Sequence, residues 1–475
     1  MTTTPAQRAG RSLQDVIDAV PNIADHLYND TPGVHASTRP DLVPIPQEFT
    51  NWRDEQRAWG ETAVLLNQTH HMPELMVSGP DARRLLSELA VNSLANLRPG
   101  IAKQLVACNS AGQVIGDCVL YDHGDERYEL ISGKTLLNWV QFKAETGDHD
   151  VTVERDENTS DNSTGRRWRF RYELDGPNAG AIFDKLVEGG APEIKFFHTA
   201  QVLIDGIEVT ALRHSMAGHQ GVELSGPFEH DQRIREAILA AGSDYGLKQG
   251  GTKAYFTTNL ESGWIGYPLP AIYTAEDLRD FREWLPDDGW EAKFQLGGSF
   301  RSANIEDYYV TPFDLGYGKI VKFDHDFVGR AALEAIAGQP PRRRVTLAWH
   351  DADVEEVFGS MFGDDLPYRY LELPMVSYGM PHNDEVRDTA GNLIGRSTWA
   401  GFSTNEHKLL SLGFVDAVMA EPGTEVVVVW GEPDGGSRKP RIERHRQREI
   451  RATVGTVPYS KSVGVMKQAS VGGGS

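Results

Sequence analysis

Cysteine is nearly missing from this chain: Cys108 and Cys118 are the only two in 475 residues. Both sit in apolar, strand-like surroundings, so buried free thiols are expected rather than a disulfide, and a reducing, cytoplasmic compartment is implied. No run of about 18 apolar residues occurs, so no membrane span is expected. The first residues, 1–11, lack the apolar stretch of a signal peptide. Positive charge is scarce, with 47 Lys and Arg against 68 Asp and Glu and a net charge of −21. A surface of that sign repels nucleic acid and anionic membrane, and neither is expected as a partner. The one basic run, Arg438-Lys439-Pro440-Arg441 on to Arg451, reads as the solvated face of late strands.

Several chemical motifs are also missing. No Gly-x-x-x-x-Gly-Lys-Ser/Thr loop is present; Gly133-Lys134-Thr135 comes near it, but Tyr128 stands where the first glycine belongs. There is no Cys-x-x-Cys, no His-Glu-x-x-His and no Gly-x-Ser-x-Gly elbow. His70-His71 and Asp324-His325-Asp326 are the dense ligand-like clusters. Adjacent residues on a strand face opposite ways, so no metal is expected at either.

What is present is ordinary in bulk, 40% hydrophobic and 24% charged, and long enough for two or three domains. The spacing predicts helices over 12–20, 47–61, 81–90, 136–144 and 231–241, the last with Ile234, Ile238 and Leu239 inward. Two strands flank a turn at 109–112, another covers 127–132, and 202–212 reads as a hairpin around Asp205-Gly206. The very polar stretch 147–167 predicts an exposed loop at 158–165. Composition changes at Gly338-Gln339-Pro340-Pro341, followed by short strands at 345–349, 376–378, 393–397, 410–415 and 425–430, the pattern of a small β-barrel. The expected organisation is an N-terminal extension over 1–45, a catalytic region over 46–338, a barrel over 339–460 and a flexible tail over 461–475.

One stretch is built for a pocket. Tyr255, Trp264 and Tyr273 are crowded with Glu261 among small residues and prolines between Gly251 and Tyr273. This stretch resembles the tetrahydrofolate-dependent aryl O-demethylases of the vanillate and syringate type, members of the glycine-cleavage T-protein (aminomethyltransferase) superfamily. Further pieces carry the resemblance in order: Asn51-Trp52-Arg53-Asp54-Glu55, Asn67-Gln68-Thr69-His70-His71-Met72, Gly112-Gln113-Val114-Ile115-Gly116-Asp117, Arg213-His214-Ser215-Met216-Ala217-Gly218 and Gly221-Val222-Glu223-Leu224-Ser225-Gly226-Pro227. Tyr308 to Gly318 and Lys322 to Arg330 close the match.

The resemblance implies an α+β cloverleaf of three parts, two α+β folate-binding subdomains followed by a C-terminal β-barrel. It implies methyl transfer from a methoxylated aromatic compound to N5 of tetrahydrofolate. Tyr255 would be the general acid, its phenol pKa of about 10 matched to a phenolic leaving group. His70 or His71 would meet the substrate's ring hydroxyl, with Trp264 lining the site. Glu223 would bind the pterin, with Asp117, Arg213 and Tyr273 as further folate contacts. Gly116 replaces an aspartate associated with aminomethyl chemistry, which speaks against aminomethyl transfer. Gly133 stands where these enzymes carry a carboxylate-binding arginine, and Lys134 is the neighbouring substitute; Leu42 falls near a substrate-contacting tyrosine. The alternatives are a folate-dependent aminomethyltransferase, a demethylase of an amine or sulfonium, and a non-catalytic folate-binding protein.

Overall fold

The computed structural model describes residues 10–28, 44–162, 164, 166–218, 221–376, 379–436 and 442–460. Leu42, Ser377-Tyr378, the run 438–441 and the tail 461–475 lie outside the described residues. The helices that position the site are α1 (Leu13–Ala19), α2 (Ile23–Leu27), α3 (Trp52–Glu61), α4 (Ala82–Leu89), α5 (Lys134–Thr146), α6 (Ala179–Leu186), α7 (Asp231–Gly242), α8 (Thr252–Tyr255) and α9 (Thr258–Ser262). The strands run β1 (Ala63–Asn67), β2 (Glu74–Ser78), β3 (Ala102–Cys108), β4 (Val114–Asp122), β5 (Arg127–Ser132), β6 (Thr152–Asp156), β7 (Arg169–Asp175), β8 (Thr199–Ile204), β9 (Ile207–Leu212), β10 (Gly221–Pro227) and β11 (Leu247–Gly250). Those beyond residue 338 are β12 (Arg342–Trp349), β13 (Met375–Val376), β14 (Asp384–Arg387), β15 (Leu393–Ser403), β16 (Lys408–Asp416), β17 (Glu425–Trp430) and β18 (Arg448–Gly455).

They form three sheets. The first has the order β11-β1-β7-β10-β9-β8 and the second β3-β4-β5-β2-β6. In the third, β15-β14-β17-β18-β12-β16 closes into a six-stranded barrel through the β15–β16 pairing, with β13 added outside on β15. The first sheet buries its outer face under α6 and α7, around Ile182, Ile234 and Ile238. The second buries its own under α4 and α5, around Leu86, Leu137 and Trp139. A third cluster, holding Trp59, Tyr255, Leu260, Tyr317 and Trp399, joins both sheets to the barrel.

Local chemistry accounts for where elements begin and turn. The β8–β9 hairpin needs two consecutive left-handed residues, and Asp205 (φ 49°) and Gly206 (φ 72°) supply them. Helix α3 starts later than the periodicity predicts, with Asn51 as N-cap accepting from the Asp54 N–H at 3.0 Å. The residues before it are held extended by Glu55, which accepts from the N–H groups of Phe49 (2.7 Å), Thr50 (2.8 Å) and Gly251 (2.8 Å). At Gly251 a Cβ would lie 2.2 Å from the Gln47 carbonyl oxygen, so only glycine permits this approach. Leu239 is half-buried rather than fully inward. Both thiols are free and buried.

Strands β1, β2, β6, β7, β10, β11, β14 and β18 lie outside the sequence expectations, and three of them show why. Strand β6 lies inside the polar stretch because it is an edge strand whose alternate residues face solvent. Strand β18 alternates basic with apolar residues, and Arg448 and Arg451 pair with Asp353. Strand β14 has four residues and starts on charged ones.

The barrel is tied to the rest through Glu261, buried at the base of α9. Its carboxylate accepts from Trp59 Nε1 (3.1 Å), Ser403 Oγ (2.6 Å) and Asn405 Nδ2 (3.1 Å). Burial pushes this carboxyl up, and the three donors counter it. Glu261→Ala leaves those donors without an acceptor and is expected to cost about 3 kcal/mol in urea unfolding. Loss of under about 0.5 kcal/mol, the usual effect of a surface change, would show that the clamp contributes nothing.

Candidate active site

The run Asn67 to Met72 leaves the end of β1 and turns at once, because Asn67 Oδ1 accepts from the Thr69 N–H at 3.0 Å. Arg167 fixes the turn from below: its guanidinium donates to the carbonyls of Thr69 and Met72 and pairs with Asp156 at 2.8 Å. The two histidines therefore sit on a turn rather than a strand, and they still diverge. His70 Nδ1 lies 2.9 Å from Thr159 Oγ1, while its carbonyl accepts from the Thr159 N–H. The polar loop after β6 is thus seated on His70. His71 points inward, and its Nε2 is 2.9 Å from the hydroxyl of Tyr255.

Tyr255 ends the one-turn helix α8, which the Gly251 approach places. Its ring meets His71 edge-on at 5.0 Å and Phe256 at 5.1 Å between centroids. Burial, then Tyr267, Glu173 and Glu223, push the Tyr255 hydroxyl well above its ordinary value of 10.0. Burial, with Arg167 close by, depresses His71 to about 3. At neutral pH the pair is a protonated phenol against a neutral imidazole. A small cavity opens on it, lined also by Ile45, Asn67, Gly250 and Thr252.

A second group lies on the inner face of the first sheet. Glu223 on β10 stands directly opposite Glu173 on β7, a like-charge pairing that needs compensation. Arg171 donates to Glu223 Oε1 at 2.6 Å, and Tyr121 donates to the same oxygen at 3.0 Å. Glu173 accepts from Gln68 Nε2 (3.0 Å) and the Met216 N–H (2.6 Å), with His214 Nδ1 at 3.3 Å. Gln68 Oε1 is buried without a hydrogen-bond partner among the described residues. Glu173, His214 and Glu223 bring one ligand atom each within 4.8 Å of one another. Burial would depress His214, but Glu173, then Glu223 and Asp175, raise it to about 9. A proton on His214 competes with any metal for that nitrogen. Carboxylates beside an orphaned amide oxygen instead suit the N–H donors of an aminopyrimidine edge.

A third group joins the second sheet to these. Asp117 Oδ2 accepts from Tyr317 (2.7 Å) and Gln104 Nε2 (2.5 Å), and Trp264 Nε1 donates to the Tyr317 hydroxyl at 2.8 Å. Burial pushes the Asp117 carboxyl up. Gly116 points the other way: a Cβ there would lie 3.0 Å from Leu136 Cβ on α5. A side chain at 116 faces a helix, so its absence does not decide between aminomethyl and methyl transfer.

The structure brings Tyr255 and His71 together and places Glu223 and Asp117 around the same interior, while Trp264 is exposed and reaches Asp117's partner Tyr317 only through its indole N–H. Other predicted members lie apart. His70 is engaged by the loop at Thr159. Lys134 is the first residue of α5 and is paired with Asp161. Arg213 donates to the Gly221 carbonyl at 3.1 Å rather than forming an ion pair among the described residues. Tyr273 is a core residue whose hydroxyl donates to the Glu291 carbonyl at 2.7 Å. Sequence reasoning did not find Gln68, Glu173, His214, Tyr267 or Tyr317 as site members. For Glu173 a signal existed, the alternation Arg169, Arg171, Glu173, Asp175 on one face of a strand.

Raised above its ordinary 6.5, His214 contributes stability that is complete below about pH 6.5 and is lost as pH rises through about 9. His214→Asn is therefore expected to be less stable than the unsubstituted protein at pH 6, with the gap narrowing by pH 9.5 in urea unfolding. A gap that does not change with pH would show that His214 is not held protonated.

Comparison with known proteins gives this arrangement a lineage. The profile of the GCVT N-terminal domain matches residues 35–269. The chain is 45% identical over 451 residues to a syringate O-demethylase of Sphingobium sp., covering 95% of this chain and 96% of that one. It is 30% identical to a sesamin methylene transferase of Sinomonas sp., covering 87% and 90%. It is 26% identical to an aminomethyltransferase of Caldanaerobacter subterraneus, covering 81% and 85%. The crystal structure of glycine cleavage system aminomethyltransferase T from Bartonella henselae superposes with a TM-score of 0.59 at 19% identity, covering 88% of this chain and 92% of that one. That likeness shows the fold.

Proposed function

The chain belongs to the tetrahydrofolate-dependent aryl O-demethylases, a branch of the glycine-cleavage T-protein superfamily, and we propose that Tyr255 and His71 hold the aryl ether while Glu223 and its neighbours hold the pterin. The enzyme moves a methyl group from a methoxylated aromatic compound to N5 of tetrahydrofolate, giving 5-methyltetrahydrofolate and a phenol. The observation that carries the assignment of roles is the 2.9 Å contact between Tyr255 and His71, part-buried at the mouth of a cavity and within electrostatic reach of Glu173 and Glu223. The free thiols, both buried, suit a reducing cytoplasm.

Tetrahydrofolate supplies the nucleophilic nitrogen, and the chain supplies position and a proton. Glu223 and Glu173 accept from the aminopyrimidine edge, with Gln68 Oε1 as a further acceptor. An aryl ether is inert because its carbon–oxygen bond breaks toward an oxyanion. Tyr255 donates to that oxygen as the methyl group leaves it, so the electron pair of the broken bond takes up a proton. The proton lost from N5 on methylation balances it. Neutral His71, carrying its proton on Nε2, donates to the Tyr255 oxygen and leaves the phenolic hydrogen free for the substrate. Placing the methyl carbon in line between the two reacting atoms contributes several kcal/mol more, on the order of the effective-molarity gain of a well-oriented pair.

Tyr255→Phe is expected to lower kcat by about 100-fold or more, the scale of a lost general acid, with tetrahydrofolate affinity within about threefold of normal. Turnover of syringate to its demethylated phenol, followed by mass, measures it. Retained kcat would remove Tyr255 from the chemistry. Glu223→Gln is expected to weaken tetrahydrofolate binding about tenfold or more, read by calorimetric titration. Unchanged affinity would assign Glu223 to the sheet alone.

A further inference from the structure

His214 lies among the acids given to the pterin, and the roles above leave it unused. Its segment is pinned to β7. Ser215 Oγ and the Ala217 N–H donate to Asp175 Oδ2 at 2.8 and 3.0 Å, and the Met216 N–H donates to Glu173 at 2.6 Å. On the other side it closes onto β10: a Cβ at Gly221 would lie 2.4 Å from the His214 carbonyl oxygen, two residues before Glu223. The imidazole is thus placed by its backbone. Its ring meets Phe197 edge-on at 5.5 Å, and the Phe197 carbonyl accepts from the Ala102 N–H of the second sheet at 2.9 Å.

Two features make this ring a donor with a bond to give. Its Nδ1 faces Glu173 at 3.3 Å, and one atom each of Glu173, His214 and Glu223 lies within 4.8 Å of the other two. Beside two carboxylates, with Asp175 also near, the imidazole keeps both protons. The Nδ1 proton is directed at Glu173, and the Nε2–H has no partner among the described residues. The second feature is access. The His214 side chain is 22% open, while Glu173 is fully buried and Glu223 nearly so. Its open edge therefore lies on the inner side of the sheet, where the two acids stand.

A pterin presents three adjacent groups along one edge: the 2-amino group, N3–H and the 4-oxygen. The first two donate and suit the carboxylates of Glu223 and Glu173. The third accepts, and no carboxylate can serve it. Arg171 and Tyr121, the donors nearest to Glu223, are engaged with that residue. We propose that His214 donates through Nε2 to the 4-oxygen of the pterin and so selects 4-oxo over 4-amino rings. This rests on the pterin-binding role given above to Glu223 and Glu173, and adds a specificity-determining residue to that site. Partners for one ring edge must stand close together, as the 4.8 Å spread of these three groups allows. A 4-amino ring would turn a donor toward a charged donor.

The test titrates the enzyme calorimetrically at pH 7 with folic acid and with aminopterin, its 4-amino counterpart, and with tetrahydrofolate alongside. The unsubstituted enzyme is expected to bind folic acid at least about tenfold more tightly than aminopterin. The 4-amino ring also lacks N3–H, so variants assign the effect. His214→Gln lowers the preference about 10- to 100-fold, the scale of one charge-assisted hydrogen bond, by weakening folic acid rather than both ligands. His214→Lys, which keeps a charged donor, retains part of it. Equal losses on both ligands would overturn the assignment. So would an unsubstituted enzyme that binds aminopterin as tightly as folic acid, a result that needs no variant to fold. If tetrahydrofolate binds and the 4-position is not discriminated, this assignment alone fails. If neither tetrahydrofolate nor folic acid binds, the pterin reading of Glu223 and Glu173 fails, and this assignment with it.

Discussion

Arg171 is the interaction on which the interior depends. It lies on β7 of the first sheet, fully buried, and meets Glu223 of its own sheet at 2.6 Å and Glu74 and Glu129 of the second at 3.2 and 3.4 Å. One guanidinium thus fastens two sheets that also meet through apolar side chains, Leu212 of the first with Tyr121 and Ile131 of the second. Three carboxylates share Arg171, with Arg169 also at Glu129 (3.5 Å) and Arg167 at Glu74 (4.0 Å), and the environment divides the charge among them. Glu129 is buried, yet His123, Arg169 and Arg171 hold it below the carboxylate range; burial pushes Glu74 up. Removing Arg171 would leave buried acids unpaired, a far larger penalty than the net worth of the pair itself.

The same residue shapes the chemistry. With one Glu223 oxygen held by Arg171 and Tyr121, the carboxylate has a fixed orientation and one oxygen to spare for a ligand. The backbone of Arg171 also anchors the histidine turn: its carbonyl accepts from the Gln68 N–H at 2.8 Å, and its N–H donates to Thr69 Oγ1 at 2.9 Å. Glu173, Glu223 and the Tyr255–His71 pair are therefore referenced to one point on β7. Two reactants that must meet in line gain most when their holders share such a frame.

Much of this was legible in the chain. The helices on 82–89 and 231–242, the hairpin at Asp205-Gly206 and the barrel strands β12, β15, β16 and β17 announce themselves because each has one apolar face and a recognisable turn. The resemblance carried Tyr255, His71 and Glu223 to positions that face one interior. What failed has a common cause. Strand β7 buries Arg171, Glu173 and Asp175, so its inner face reads as surface in the sequence and as the core of the site in the fold. Tyr273 misled in the opposite direction, since an aromatic ring among prolines is equally at home in a core once its hydroxyl finds a carbonyl. The adjacency of His70 and His71 gave no hint of which enters the pocket; the loop at Thr159, distant in sequence, decides it.

The raised Tyr255 hydroxyl bears on the proposed match between acid and leaving group. A phenol of ordinary pKa would be a poor recipient for a proton from a much weaker acid. The recipient, however, occupies the same pocket. Burial and the field of Glu173 and Glu223, which push Tyr255 up, act on any phenolate formed beside it in the same sense. A pocket that raises both partners keeps their difference small, the condition under which a proton is shared at little cost in the transition state. The net negative interior is thus consistent with a reaction that breaks a bond toward an oxyanion, because it makes release of that oxygen as a neutral phenol the favoured outcome.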